Sequence, residues 1–362
     1  LTSIALLGVT AVSTFSPVHA QTRDISRADS TVMDMAQSYK SRDRKRLIAL
    51  LPQVRGHVLE PWAAYWDLSA RLDEAGPTEI QEFFSRFSGS YQEDRLRAEL
   101  LLHYGRNRDW VAFNREYPLY RMNDDKSVRC YALLAEHLSN GVDNTAQVRD
   151  AWLGIKEAED GCASAAEQLV KDHTTSAAMV WQRARLGMEN DRLRVVTQAV
   201  GIVSPGSVSK LNAIYQSPAK YLNDKLTAFQ PKTHELVSLA LIRLATLDPD
   251  DAATEINKLR WKTQLTDEER SWVWGVIGKR AAQRLSNDAP DYFANGNAAS
   301  MHEDHLAWQA RAALRAGRWP QVLSAINGMS EEQLRDVCKQ LNVEADETMG
   351  KGKMIDEIFG EK

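Results

Sequence analysis

The chain is short of strand-like patterning, of long apolar runs and of net charge. From Ser30 onward apolar and polar residues hardly ever alternate, which excludes a β-sandwich or barrel. No apolar stretch reaches the roughly 20 residues that a membrane-spanning helix needs, so no membrane span is expected once any leader is cleaved. The formal net charge is only −4 over 362 residues, which argues against nucleic acid as the main partner. Signature motifs for metals and cofactors are missing too. His302-Glu303-Asp304-His305 is not the His-Glu-x-x-His zinc pattern and has no evident third ligand, so it reads as a solvated helix start. Gly350-Lys351-Gly352-Lys353 fails the phosphate-loop spacing and reads as a flexible turn before a last helix. Asp248, Asp250 and Asp251 offer too few oxygens for calcium and suit the positive end of a helix dipole. No cofactor and no metal site is expected.

Helical periodicity is plentiful instead. Hydrophobic residues make up 43% of the chain, ample for a core, and the length allows two or three domains. Apolar residues recur at spacings of three and four, beginning with Met33, Ala36, Leu47, Leu50 and Leu51. Pro52, Pro61, Gly76-Pro77, Gly105, Pro118, Gly161, Gly187, Pro205-Gly206, Pro231, Pro249, Pro290 and Gly317 are expected to cut the pattern into single helices or helical hairpins. Asp248 before Pro249 is an N-cap followed by a proline whose missing N–H costs nothing in the first turn. Thr266-Asp267-Glu268-Glu269 has the spacing of a capping box. Short amphipathic helices with brief connections pack as antiparallel pairs. The expected fold is therefore all-α, an irregular α-superhelix or solenoid of stacked antiparallel helix pairs. No strict 34-residue repeat is visible, so the units are degenerate.

The N-terminal residues read as an export signal. Leu1 to Val12 are small and apolar, and Pro17-Val18-His19-Ala20 before Gln21 ends in the small residue that signal peptidase accepts. Cleavage is expected after Ala20. No Met and no basic residue precedes the apolar core, so the sequence reads as starting inside the signal. An exported chain meets an oxidising compartment, where Cys130 and Cys162 are expected to pair across a loop of about 30 residues, worth roughly 3–4 kcal/mol. Two buried thiols is the other reading.

Ten tryptophans, all before residue 320, sit in an ordered series of motifs. Pro61-Trp62-Ala63-Ala64-Tyr65-Trp66 with Arg71-Leu72 places three aromatics on one helical face. Phe83, Phe84 and Phe87 follow, then Asp94-Arg95-Leu96-Arg97 with Leu100-Leu101, then Arg108-Asp109-Trp110-Val111-Ala112-Phe113. This succession resembles the N-terminal superhelical domain of soluble lytic murein transglycosylases. Cys130-Tyr131-Ala132 with Trp152 and Cys162, Trp181-Gln182-Arg183-Ala184-Arg185, and Trp308-Gln309-Ala310-Arg311-Ala312-Ala313-Leu314 running into Gly317-Arg318-Trp319 and Val322 extend the resemblance over residues 28 to 330.

The resemblance implies a periplasmic protein whose partner is peptidoglycan. In that family one glutamate acts as general acid and then base on the MurNAc–GlcNAc β-1,4 bond, and the sugar's own 6-hydroxyl attacks to give a 1,6-anhydro product. That glutamate lies in a Glu-Ser motif followed by Gly-Leu-Met-Gln, in a C-terminal domain. Neither motif occurs here, so no catalytic residue is carried over. Residues 21–330 are expected to be the scaffold, with the missing catalytic domain as a further partner. Trp62, Trp66, Trp272 and Trp274 suit core packing better than sugar stacking, and Arg and Lys along an inner wall would attract anionic stem peptides. A non-catalytic helical-repeat adaptor that binds another protein is the alternative function.

Residues 331–362 change character. They carry a net charge of −4, equal to that of the whole chain. Glu331-Glu332-Gln333-Leu334-Arg335-Asp336-Val337-Cys338-Lys339, Val343-Glu344-Ala345-Asp346 and Gly350 through Phe359 resemble a piece of class II lysyl-tRNA synthetase. No synthetase catalytic motif is present. A chimeric join near Ser330 and an ordinary acidic helical tail are both open.

Overall fold

The computed structural model describes residues 27–225, 227–228, 230–341, 345 and 348–359. The signal-like segment 1–20 and its cleavage point lie outside the described residues. Among the described residues every regular element is helical, with 22 α-helices and four short 3-10 helices. The all-α expectation is met.

Proline and aspartate set the helix starts. Pro52, Pro61, Pro77, Pro118, Pro205, Pro218, Pro231, Pro249, Pro290 and Pro320 each occupy one of the first two positions of a helix or 3-10 helix, where a missing N–H has no intrahelical partner to lose. Asp248 caps its helix by accepting from the Asp250 and Asp251 N–H groups at 2.9 and 3.1 Å. Thr266 closes the expected capping box: its hydroxyl accepts from the Glu269 N–H, and the Glu269 carboxylate accepts from the Thr266 N–H.

Two glycines expected to break helices do not. Gly105 lies within Tyr91–Asn107 and Gly187 within Ala178–Glu189. Each is a place where a neighbour comes close: a Cβ on Gly187 would sit 3.0 Å from Val195, and one on Gly105 would overlap the Tyr131 ring. A missing side chain here serves packing, which outweighs the roughly 1 kcal/mol that glycine costs inside a helix.

The described residues form two compact units, divided between His103 and Tyr104. In the first, Val32, Met35, Leu47, Val54 and Ala63 make a small core, with Tyr39 and Trp66 packed against it. In the second, helices pack mainly on their sequence neighbours, the short-range packing of a solenoid. Cys130 in Lys126–Asn140 and Cys162 in Asp160–Lys171 are bonded, with Cα atoms 4.8 Å apart. Near the end of the unit, Leu334, Cys338, Met349 and Met354 join Val322, Ile326 and Met329 in one apolar cluster. The acidic tail thus contributes to this core.

Candidate functional site

Buried charge concentrates on one face of the helix Ala178–Glu189. Arg185 and Glu189 are four residues apart and share that face. Arg185 grips Glu235 of Pro231–Leu247 through two bonds, Nε to Oε2 at 3.0 Å and Nη2 to Oε1 at 2.6 Å, and its Nη1 reaches Glu268 Oε1 at 3.0 Å. One turn on, Glu189 takes Lys279 Nζ at 2.6 Å and His305 Nε2 at 3.0 Å. Lys279, on Asp267–Gln283, also pairs with Asp304. Trp272 joins the two halves, its ring 5.5 Å from the Arg185 guanidinium and 5.6 Å from the His302 and His305 rings.

The two carboxylates feel opposite environments. Burial alone would raise the pKa of Glu189, yet His305 and Lys279 outweigh it and hold the carboxyl well below the usual range. For Glu235 burial wins, and with Glu269 and Glu268 nearby it pushes the carboxyl up to about 7 against the pull of Arg185. Burial would likewise lower the Lys279 ammonium, but Glu189 and Asp304 raise it above the ordinary lysine value. Each buried acid here already faces a cation. The arrangement ties four helices together and has no free acid–base pair to offer a substrate.

This seam corrects one sequence expectation. His302-Glu303-Asp304-His305 does begin a helix, Glu303–Arg315, but His305 is fully buried rather than solvated. Gly275 makes the room, since a Cβ there would overlap the His305 ring. His302 caps the helix, its Nδ1 accepting from the Asp304 N–H at 3.2 Å. Among the described residues no group of three His, Cys, Asp or Glu side chains could hold a metal ion.

The remaining singled-out residues have structural roles as well. Trp272 and Trp274 are buried, while Trp62 and Trp66 are half-buried in an aromatic cluster with Tyr39, Tyr65 and Tyr91. Lys351 begins the last helix, and its Nζ donates to the Asn327 and Met329 carbonyls at 2.6 and 2.7 Å. Asp109 of the Asp-Trp motif caps the helix that Trp110 opens, accepting from the Ala112 N–H at 3.0 Å.

Beside the seam lies an open cleft of about 240 Å³, lined by Gly154, Ile155, Lys156, Arg183, Arg192 and His302 among others. Arg183 points off the same helix as Arg185 and is 3% exposed. Its guanidinium donates to the Ile155 carbonyl and, at 2.9 Å, to the Glu157 carbonyl. Arg192 donates to the Lys156 carbonyl at 2.7 Å. Burial, and then the neighbouring Arg192, lower Arg183 to about 10, with Glu159 and Glu157 opposing. In the sequence Arg183 and Arg185 stand out only as part of the Trp181-Gln182-Arg183-Ala184-Arg185 motif. The available signal was two arginines among Met179, Val180, Trp181, Ala184, Leu186 and Met188, because charges on so apolar a helix must find partners. Nothing local names those partners, which lie 26 to 83 residues away in the sequence.

No helix among the described residues is long and apolar enough to cross a membrane. No protein-family model matches the chain. The lysine–tRNA ligase of Porphyromonas gingivalis is 70% identical over 37 residues, which is 10% of this chain and 6% of that protein. The Christiangramia forsetii ligase is 60% identical over the same length. Among solved structures, the chain is similar to an inactive variant of the lytic transglycosylase Slt from Pseudomonas aeruginosa, with 19% identity and a TM-score of 0.49 over 91% of this chain. It is also similar to the 70 kDa soluble lytic transglycosylase of Escherichia coli, with 15% identity and a TM-score of 0.43 over 88% of this chain. The chain spans about half the length of these two transglycosylases, 55% and 54%.

Proposed function

We propose that this chain is an exported, periplasmic scaffold of the soluble lytic transglycosylase type, which holds peptidoglycan while a separate glutamate-bearing domain cleaves the MurNAc–GlcNAc bond to 1,6-anhydro products. The observation that carries this reading is the order of motifs from Pro61 to Val322. Physical roles for those motifs support it. Asp109 caps a helix start, Arg97 lies 4.1 Å from the Phe84 ring centroid, Trp181 is buried, and Arg185 closes an inter-helix ion pair. The Cys130–Cys162 bond supports export, because such bonds persist in oxidising compartments.

The 362 residues contain neither Glu-Ser nor Gly-Leu-Met-Gln, so the scaffold itself supplies positioning and not cleavage. We further infer that residues 331–362 come from a different source and were joined near Ser330, a reading supported by the 37-residue likeness to lysine–tRNA ligases. No aminoacylation follows, since the synthetase catalytic motifs are missing from the sequence.

Product analysis after incubating the purified chain with murein sacculi tests the division of labour. No anhydro-muropeptides should be released. Their appearance would place an active site within these residues and overturn the scaffold reading.

A further inference from the structure

The cleft beside the seam has an unbalanced charge. Lys156, Arg183 and Arg192 line it, and no acidic residue does. The hydrogen bonds of Arg183 and Arg192 go to backbone carbonyls, the Arg183 guanidinium also lies 5.7 Å from the Trp152 ring centroid, and Arg183 Nε is buried without a hydrogen-bond partner. Glu159 and Glu157 act on Arg183 only through space, with no side-chain bond to it. Asp191, next in sequence to Arg192, is taken by Arg243 at 2.7 Å and by Tyr215. Elsewhere on the same helix the rule is the opposite, since Arg185 holds two carboxylates.

We propose that this cleft binds a carboxylate-bearing peptide, with the acid seated between Arg192 and Lys156, above the buried charge of Arg183. At about 240 Å³ it falls below the roughly 300–1,000 Å³ of clefts that enclose a drug-sized ligand. It takes one acidic residue and not a length of glycan. A planar guanidinium suits a carboxylate, and an anion here relieves the repulsion between Arg183 and Arg192. This rests on the scaffold reading and names the part of the murein it would hold, the acidic stem peptide rather than the sugar.

The test is calorimetric titration of the full chain with the dipeptide L-alanyl-γ-D-glutamate, beside the same dipeptide with both carboxyls amidated. The acid form should bind and the amide should not. Arg192→Gln and Lys156→Gln, each with an unchanged melting temperature, should weaken binding at least tenfold, and together should abolish it. Equal binding of acid and amide, no binding of either, or full affinity in both variants would overturn the proposal. Sedimentation with sacculi separates the two readings. Sacculus binding without dipeptide binding removes the cleft alone, whereas dipeptide binding without sacculus binding keeps the carboxylate site and removes the murein scaffold.

Discussion

His305 Nε2 lies 3.0 Å from Glu189 Oε2, although 116 residues separate them in the sequence. Both side chains are almost wholly inaccessible. An ion pair so buried contributes little when intact but leaves an uncompensated charge when one partner is removed. Glu189→Gln should therefore destabilise the chain by about 3–5 kcal/mol, since the buried Lys279 ammonium loses one of its two carboxylates and the His305 ring loses its carboxylate partner. Urea unfolding of both proteins at neutral pH measures the difference.

The same seam should respond to pH with two opposite signs. Glu189 has a folded pKa below the unfolded value, so its contribution is present above pH 4.5 and is lost as pH falls below that. The advantage of the wild type over Glu189→Gln should shrink toward acid. Glu235 has a folded pKa raised to about 7 from 4.5, so its contribution is full below pH 4.5 and declines as pH rises through 7. Glu235→Gln should gain on the wild type across that window. Chemical denaturation of the three proteins from about pH 2.5 to pH 8 checks both slopes, the Glu189 one below pH 4.5 and the Glu235 one above it, and parallel curves would remove the assignment.

Two glycine substitutions should differ in sign. A Cβ on Gly278 would come 2.7 Å from the Phe293 ring, whereas one on Gly201 meets nothing within 4 Å. Gly278→Ala should cost about 1–3 kcal/mol through overpacking. Gly201→Ala, inside Leu193–Val203, should stabilise by about 0.5–1 kcal/mol through helix propensity and a stiffer unfolded chain. Thermal melts rank the pair.

The disulfide closes a 32-residue separation, and its removal should cost about 3–4 kcal/mol. Mass spectrometry of the exported chain should find Cys130 linked to Cys162 and Cys338 free. A Cys130→Ala/Cys162→Ala double variant should melt lower than the wild type without further loss on reduction.

Local signals made the helical architecture readable. Prolines, aspartate caps and the Thr266 box act within a turn of their own position, and a sequence shows such spacing directly. Gly187 misled because one residue type serves two ends: it breaks helices at turns and admits a neighbour inside them, and only the presence of Val195 decides between the two. The site was less legible. Arg185 reaches Glu235 over 50 residues and Lys279 reaches Glu189 over 90, so the pairing is created by the packing of helices whose order along the chain gives no register. The cleft is further hidden because its partners for Arg183 and Arg192 are backbone carbonyls, which no residue type announces.

Sedimentation of the full chain with purified murein sacculi tests the central claim most directly. The scaffold reading predicts weak pelleting with sacculi at low salt and release as salt rises, since cationic residues hold an acidic polymer. A chain that stays in the supernatant at low salt would contradict it and favour a helical-repeat adaptor with a protein partner.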